Sequence, residues 1–177
     1  DEKMGNGIVT LLAKIFTVNH KVTENGLIAY GGLCNGLGSK INIKDFGIYI
    51  VWALKSTDDE LARLACGTLS DVASAITSNI SSYLTDFVPP VLAILKDQQR
   101  DRYSKLQGIV ALGDLAMHCG DGFAVSYLEE VLVILASAAK MSLNPVLKSD
   151  DEYLYTYMIQ LRDTLVECYT TIVHGVT

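Results

Sequence analysis

In three stretches of this chain the apolar residues recur every three or four positions, and that spacing limits what the chain can fold into. The sets are Leu61, Ala65, Leu69, Val72 and Ile76; Leu106, Ile109, Leu112, Ala116 and Cys119; and Leu161, Leu165, Cys168 and Ile172. A helix turns once in about 3.6 residues, so each set makes one apolar stripe. No sustained two-residue alternation competes with it. Residues 48–51 have strand propensity, but their flanks, Lys44-Asp45 and Ala53-Leu54-Lys55, read better as helix. The expected fold class is all-α. Half of the 177 residues are hydrophobic and 19% are charged, which is too apolar for a disordered chain. The longest uncharged run, 25–39, is 15 residues, shorter than the roughly 18 apolar residues a membrane span needs. No transmembrane helix is therefore expected. Asp1-Glu2-Lys3 precedes no apolar core, so no signal peptide is expected, and the lack of an initial Met reads as an excerpt of a longer polypeptide.

Punctuation follows the same helical reading. Thr57-Asp58-Asp59-Glu60 and Ser149-Asp150-Asp151-Glu152 each place a hydroxyl three residues before a carboxylate, the capping-box pattern of a helix start. Gly38, Gly120 and Gly175 fall just past helical runs, where a left-handed residue is wanted. Pro89-Pro90 predicts a break or kink in an otherwise apolar helix. Four helices, 24–38, 60–77, 102–120 and 155–175, share small and apolar residues, and aligning Asn35, Asp71 and Asp114 gives spacings of 36 and 43. Three further apolar helices, 45–55, 79–96 and 121–140, lie between them, and residues 1–22 read as a preceding helix. That period fits HEAT-type helical hairpins of about 40–47 residues, each burying only one face alone. The expected architecture is an α-solenoid, a right-handed superhelical fragment of about four repeats: 1–40, 41–78, 79–120 and 121–177.

Chemistry for catalysis is missing from the pattern. The cysteines, Cys34, Cys66, Cys119 and Cys168, form no C-x-x-C pair and sit in apolar helical contexts, which predicts buried, reduced thiols in an intracellular protein. His20, His118 and His174 have no metal-ligand spacing. His118 and Cys119 are neighbours on a helix, so they point apart and make no dyad. Gly36 and Gly38 lack a phosphate-loop context, and Glu129-Glu130 has nothing to arrange it as an acid–base pair. No catalytic residue, metal or cofactor is expected. Fourteen Lys and Arg against twenty Asp and Glu give a net charge of −6. Nucleic acid is then a poor partner and a basic protein segment a natural one.

Several segments resemble a known family. The runs Leu84-Thr85-Asp86-Phe87-Val88-Pro89-Pro90-Val91-Leu92 and Tyr127-Leu128-Glu129-Glu130-Val131-Leu132 are similar to outer helices of importin-β (karyopherin-β) proteins, and Gly113-Asp114-Leu115-Ala116 is similar to another of their segments. The fullest match is Leu161-Arg162-Asp163-Thr164-Leu165-Val166-Glu167-Cys168-Tyr169, followed by Ile172-Val173-His174-Gly175. Together they resemble consecutive HEAT repeats from the carboxy-terminal half of that family, over about residues 23–175. The resemblance implies a receptor that moves between cytoplasm and nucleus through the pore. It implies inner helices that hold the basic segment of an importin-α-type adaptor or of a cargo. Outer helices would hold phenylalanine-glycine nucleoporins, and the Ran GTPase would empty the receptor. The family's main Ran contacts belong to amino-terminal repeats that this chain does not resemble.

Within that frame two sets of residues become candidates. Asp71, Asp114, Asp163 and Glu167 face away from the apolar stripes and would line one inner surface, a carboxylate ladder for a Lys/Arg-rich segment. The competing reading of Asp71 and Asp114 is glue between repeats. Phe46, Tyr49, Tyr83, Phe87, Tyr127 and Leu128 are the candidates on the outer helices for a shallow phenylalanine-binding groove. Trp52, the only tryptophan, is expected between helices. The rival to a transport receptor is a static HEAT scaffold, because fold alone does not separate the two.

Overall fold

The computed structural model describes residues 1–19, 21–143 and 152–176. Among them the chain forms α1 (Glu2–Asn19), α2 (Glu24–Leu37), α3 (Gly47–Leu54), α4 (Asp59–Ile76), α5 (Leu84–Lys96), α6 (Arg102–Cys119), α7 (Asp121–Ser142) and α8 (Glu152–Val176), with 3-10 turns at Gly38–Lys40 and Thr77–Tyr83. No strand occurs among the described residues.

Side-chain caps start three of these helices. Thr23 accepts from the Gly26 amide at 3.2 Å, Asp58 from Glu60 and Leu61 at 3.1 and 3.3 Å, and Asp101 from Tyr103 and Ser104 at 2.8 and 3.2 Å. The cap of α4 is therefore Asp58, not Thr57. The short Asp58 carboxylate reaches both amides, while Glu60 turns to Arg63 instead of back to the cap. Of the second predicted box, Ser149, Asp150 and Asp151 lie outside the described residues. Three inner helices end alike, with a residue at positive φ whose amide returns to a carbonyl four back: Gly38 (φ 54°) to Cys34, Thr77 (48°) to Ala73, and Gly120 (51°) to Ala116. Gly175 is not a cap but lies inside α8.

The proline pair does not break its helix either: α5 runs through both. Each proline frees one carbonyl a turn earlier, on Thr85 and Asp86, and both of these residues are exposed, so water takes up the loss. The interruption comes upstream, as the 3-10 turn before Leu84, which shortens the helix expected over 79–96.

Helices α2, α4, α6 and α8 stack in that order, α4 and α6 each between two neighbours. Around them α3 packs on α4, α5 on α6 and α7 on α8, while α3 meets α5 and α5 meets α7 along the outside. This is an open solenoid of helical hairpins, with one apolar core running through the whole row. At the junction of α6 on α8 the two helix backbones come close together. A Cβ on Gly113 would lie 2.5 Å from Thr171 Oγ1, and one on Gly175 2.5 Å from the Met117 Cα. Only residues without a side chain allow that approach.

Polar staples tie successive hairpins together. Arg100, mostly buried, pairs with Asp59 at 3.1 Å and donates to the Ser56 carbonyl. Ser104 donates to the Asp59 carbonyl at 2.8 Å. Within the last hairpin Arg162 of α8 makes a similar contact, with Nε donating to the Ser142 carbonyl at the end of α7 at 3.1 Å.

Candidate functional site

The four inner carboxylates do not share one environment. Asp71, half-buried on α4, accepts from Asn35 Nδ2 at 3.1 Å and leans over Gly31, both on α2. It lies close enough to Cys34 to add to the burial that pushes that thiol up to about 12. Its role is to join two hairpins. Asp114 is half-buried on α6. Burial is the main cause that drives Cys168 of α8 up to about 12, with the Asp114 and Glu167 charges adding to it. Asp163 and Glu167 are exposed on α8, on the side away from its buried stripe of Leu161, Leu165, Cys168 and Ile172. The structure thus offers Asp163 and Glu167 freely, Asp114 partly, and Asp71 as a hydrogen-bonded group.

A further acidic groove of about 580 Å³ opens where α4 and α6 begin, lined by Asp59, Glu60, Arg63, Asp101 and Tyr103. Sequence reasoning passed over Asp59 and Asp101. The available signal was the 43-residue step from the Asp58 cap to the Asp101 cap, which brings two acidic helix starts side by side.

On the outer side, a groove of about 290 Å³ lies between α3 and α5, walled by Ile43, Gly47, Ile48, Val51, Tyr83 and Phe87, with Lys44 and Asp86 at its edge. Tyr83 stacks on Phe87 with ring centroids 6.0 Å apart. Phe46 and Tyr49 do not belong to it. Phe46 is 0% exposed and stacked on Tyr30 at 3.8 Å. Tyr49 is 7% exposed, with its hydroxyl paired to Thr17. The reason is the start of α3: the helix begins at Gly47, so Phe46 sits before it and turns into the core. Trp52 departs from expectation in the other direction. It is 46% exposed, edge-on to Tyr49, and not enclosed between helices.

Tyr127 lines a second outer groove, about 600 Å³, between α5 and α7 with Lys96, Glu130, Val133 and Ile134. Lys96 and Glu130 form an ion pair across it. Leu128 is half-buried against the core and does not line that groove.

The two ends of the row are apolar. Met4, Ile8, Leu11, Ile15 and Val18 form one exposed stripe along α1. Tyr155, Ile159, Val166 and Val173 form another on α8, beside Val125, Leu132 and Leu143. By length and composition alone, α7, which leaves much of its apolar surface uncovered, is long and apolar enough to cross a membrane. That corrects the expectation drawn from uncharged runs: two glutamates in the middle of a helix do not remove its apolar character. No group of His, Cys, Asp and Glu suited to a metal occurs among the described residues.

Comparison with known proteins gives this geometry a lineage. A family model described as importin subunit beta-1-like, TPR repeats, matches residues 2–177. Importin subunit beta-1 of Schizosaccharomyces pombe is 28% identical over 158 residues, which is 88% of this chain and 18% of that protein. Among solved structures, importin beta crystallised in an ammonium sulfate condition superimposes with a TM-score of 0.87 at 22% identity, over 98% of this chain and 20% of that one. A Kap95:Nup1 complex superimposes with a TM-score of 0.81 at 17% identity, over 99% of this chain and 21% of that one. The chain spans about one-fifth of the length of the relatives it matches. It belongs to the importin subunit beta-1-like family.

Proposed function

We propose that this chain is a protein-binding segment of a nuclear import receptor. The carrying observation is the apolar groove between α3 and α5, open on the outer surface of a chain of this family. A phenylalanine side chain is the ligand that its size and walls suit: Ile48, Val51, Tyr83 and Phe87 offer aliphatic and aromatic contact without a buried polar demand. The structural relative solved with Nup1 supports a nucleoporin as its source. On the inner side Asp114, Asp163 and Glu167 face a basic segment, of an importin-α-type adaptor or of a cargo. Asp71 contributes to the shape of that surface more than to its charge, because Asn35 already holds it. The activity is binding without catalysis, exercised in cytoplasm and nucleus, and release by Ran belongs to the longer receptor.

Retention of the chain on phenylalanine-glycine resin tests the outer groove. Retention should fall at least about tenfold in Ile48→Asp, since a charge on the wall of an apolar pocket is strongly unfavourable. A basic peptide immobilised alone should retain the chain at low salt and lose it in the double variant Asp163→Lys, Glu167→Lys. A static scaffold would ignore both resins, and that result would overturn the proposal.

A further inference from the structure

A cavity of about 330 Å³ lies at the seam of the last two hairpins, and the charged residues of its described lining are cationic in a chain of net negative charge. Leu95, Ile109, Ile134 and Leu161 wall it, and among the described residues its only charged lining residues are Lys96 and Lys105. Four other grooves carry carboxylates: Asp86 between α3 and α5, Glu129 and Glu130 between α5 and α7, Asp59, Glu60 and Asp101 between α4 and α6, and Asp97 beside Leu54 and Pro90. In a chain with twenty Asp and Glu against fourteen Lys and Arg, a cavity whose described lining holds no carboxylate is a local inversion. Lys96 is held by Glu130. Lys105 is half-buried, and its ammonium has no ion pair or hydrogen bond among the described residues. A half-buried ammonium beside apolar walls gains most from a carboxylate brought to it by a ligand whose apolar part fills the space.

We propose that this seam is a second peptide-docking site, which takes a bulky apolar side chain flanked by acidic residues. The volume is at the lower end of ligand pockets, enough for one such side chain and its flanking backbone. Gln98 and Ser137, two of the uncharged polar residues of the lining beside Tyr157, match the amide and carbonyl groups of a peptide. The site is distinct in place and polarity from the α3–α5 groove, so it stands or falls independently of the proposed import function.

The test is a titration of the chain, isoleucine methyls labelled, with the blocked pentapeptide Ser-Asp-Leu-Asp-Ser and with its Ser-Lys-Leu-Lys-Ser counterpart. The acidic peptide should shift Ile109 and Ile134, and the basic one should not. Lys105→Glu should weaken the acidic peptide at least about tenfold, as expected for loss and reversal of a charge-assisted contact. Lys105→Gln should weaken it less, and provides the same test should the reversal fail to fold. Equal shifts from both peptides, no shift from the acidic one, or unchanged affinity in a folded Lys105 variant would overturn the proposal. So would movement of the same methyls on raising protein concentration alone, which would assign the cavity to a second copy of the chain.

Discussion

At the scale of single residues, Thr77 stands out. It ends α4 with φ 48° in the position where Gly38 and Gly120 end α2 and α6. A β-branched side chain at positive φ is strained, and glycine is not. Thr77→Gly should raise stability by about 1 kcal/mol, the balance of relieved strain over glycine's greater freedom in the unfolded chain. Chemical denaturation would measure it, and a loss of stability would refute the reading. The cysteines give a second residue-scale expectation. Burial pushes Cys34, Cys66 and Cys168 up to about 12, and raises Cys119 as well. Cys119, only half-buried, should react first with a thiol reagent at pH 8, and the other three should stay protected until the fold opens. The sign of the pH effect follows. Above pH 9, the ordinary thiol value, the unfolded chain releases protons that the folded chain still holds. Stability should therefore be intact below pH 9 and fall as pH rises towards 12. A melting temperature that stays flat over that window would contradict it.

The helices themselves were legible because their period is local. Stripes such as Leu61–Ile76 need only the spacing of apolar residues, but the capping residue was not legible in the same way: the hydroxyl of Thr57 was expected where Asp58 caps α4, and the Asp101 cap of α6 was not anticipated. What else escaped was decided between elements. Whether Phe46 faces a groove or the core depends on where α3 starts, and Gly47 shifted that start by two residues from the expected 45. Gly175 looked like a stop signal but is a contact surface, a fact set by α6 and invisible from α8 alone. The same holds for Asp71, whose charge is visible in sequence and whose partner Asn35 lies one repeat away. The α6–α8 junction makes the prediction for this scale. Gly175→Ala places a methyl against the backbone of α6, and should cost about 1–3 kcal/mol as an overpacked contact. Gly36→Ala, with open space around it, should instead be neutral or stabilise by up to about 1 kcal/mol through helix propensity. Equal effects from the two alanines would show that α6 and α8 are not in close contact.

On the scale of the whole molecule, stacked hairpins separate two surfaces that a compact bundle would merge. Carboxylates on α6 and α8 face one way, and the Ile48, Val51, Tyr83 and Phe87 groove opens between the outer helices α3 and α5. Under the proposed function, that separation would let one short stretch of chain hold a basic segment and a phenylalanine at the same time, without competition between them. The measurement that tests this most directly is a two-peptide titration mapped residue by residue, in which a phenylalanine-glycine peptide and a lysine-rich peptide are added in either order. The account predicts that the first moves signals of Ile48, Val51 and Phe87, that the second moves those of Asp114, Asp163 and Glu167, and that neither changes the affinity of the other. Displacement of one peptide by the other, or shifts of both sets by a single peptide, would contradict it.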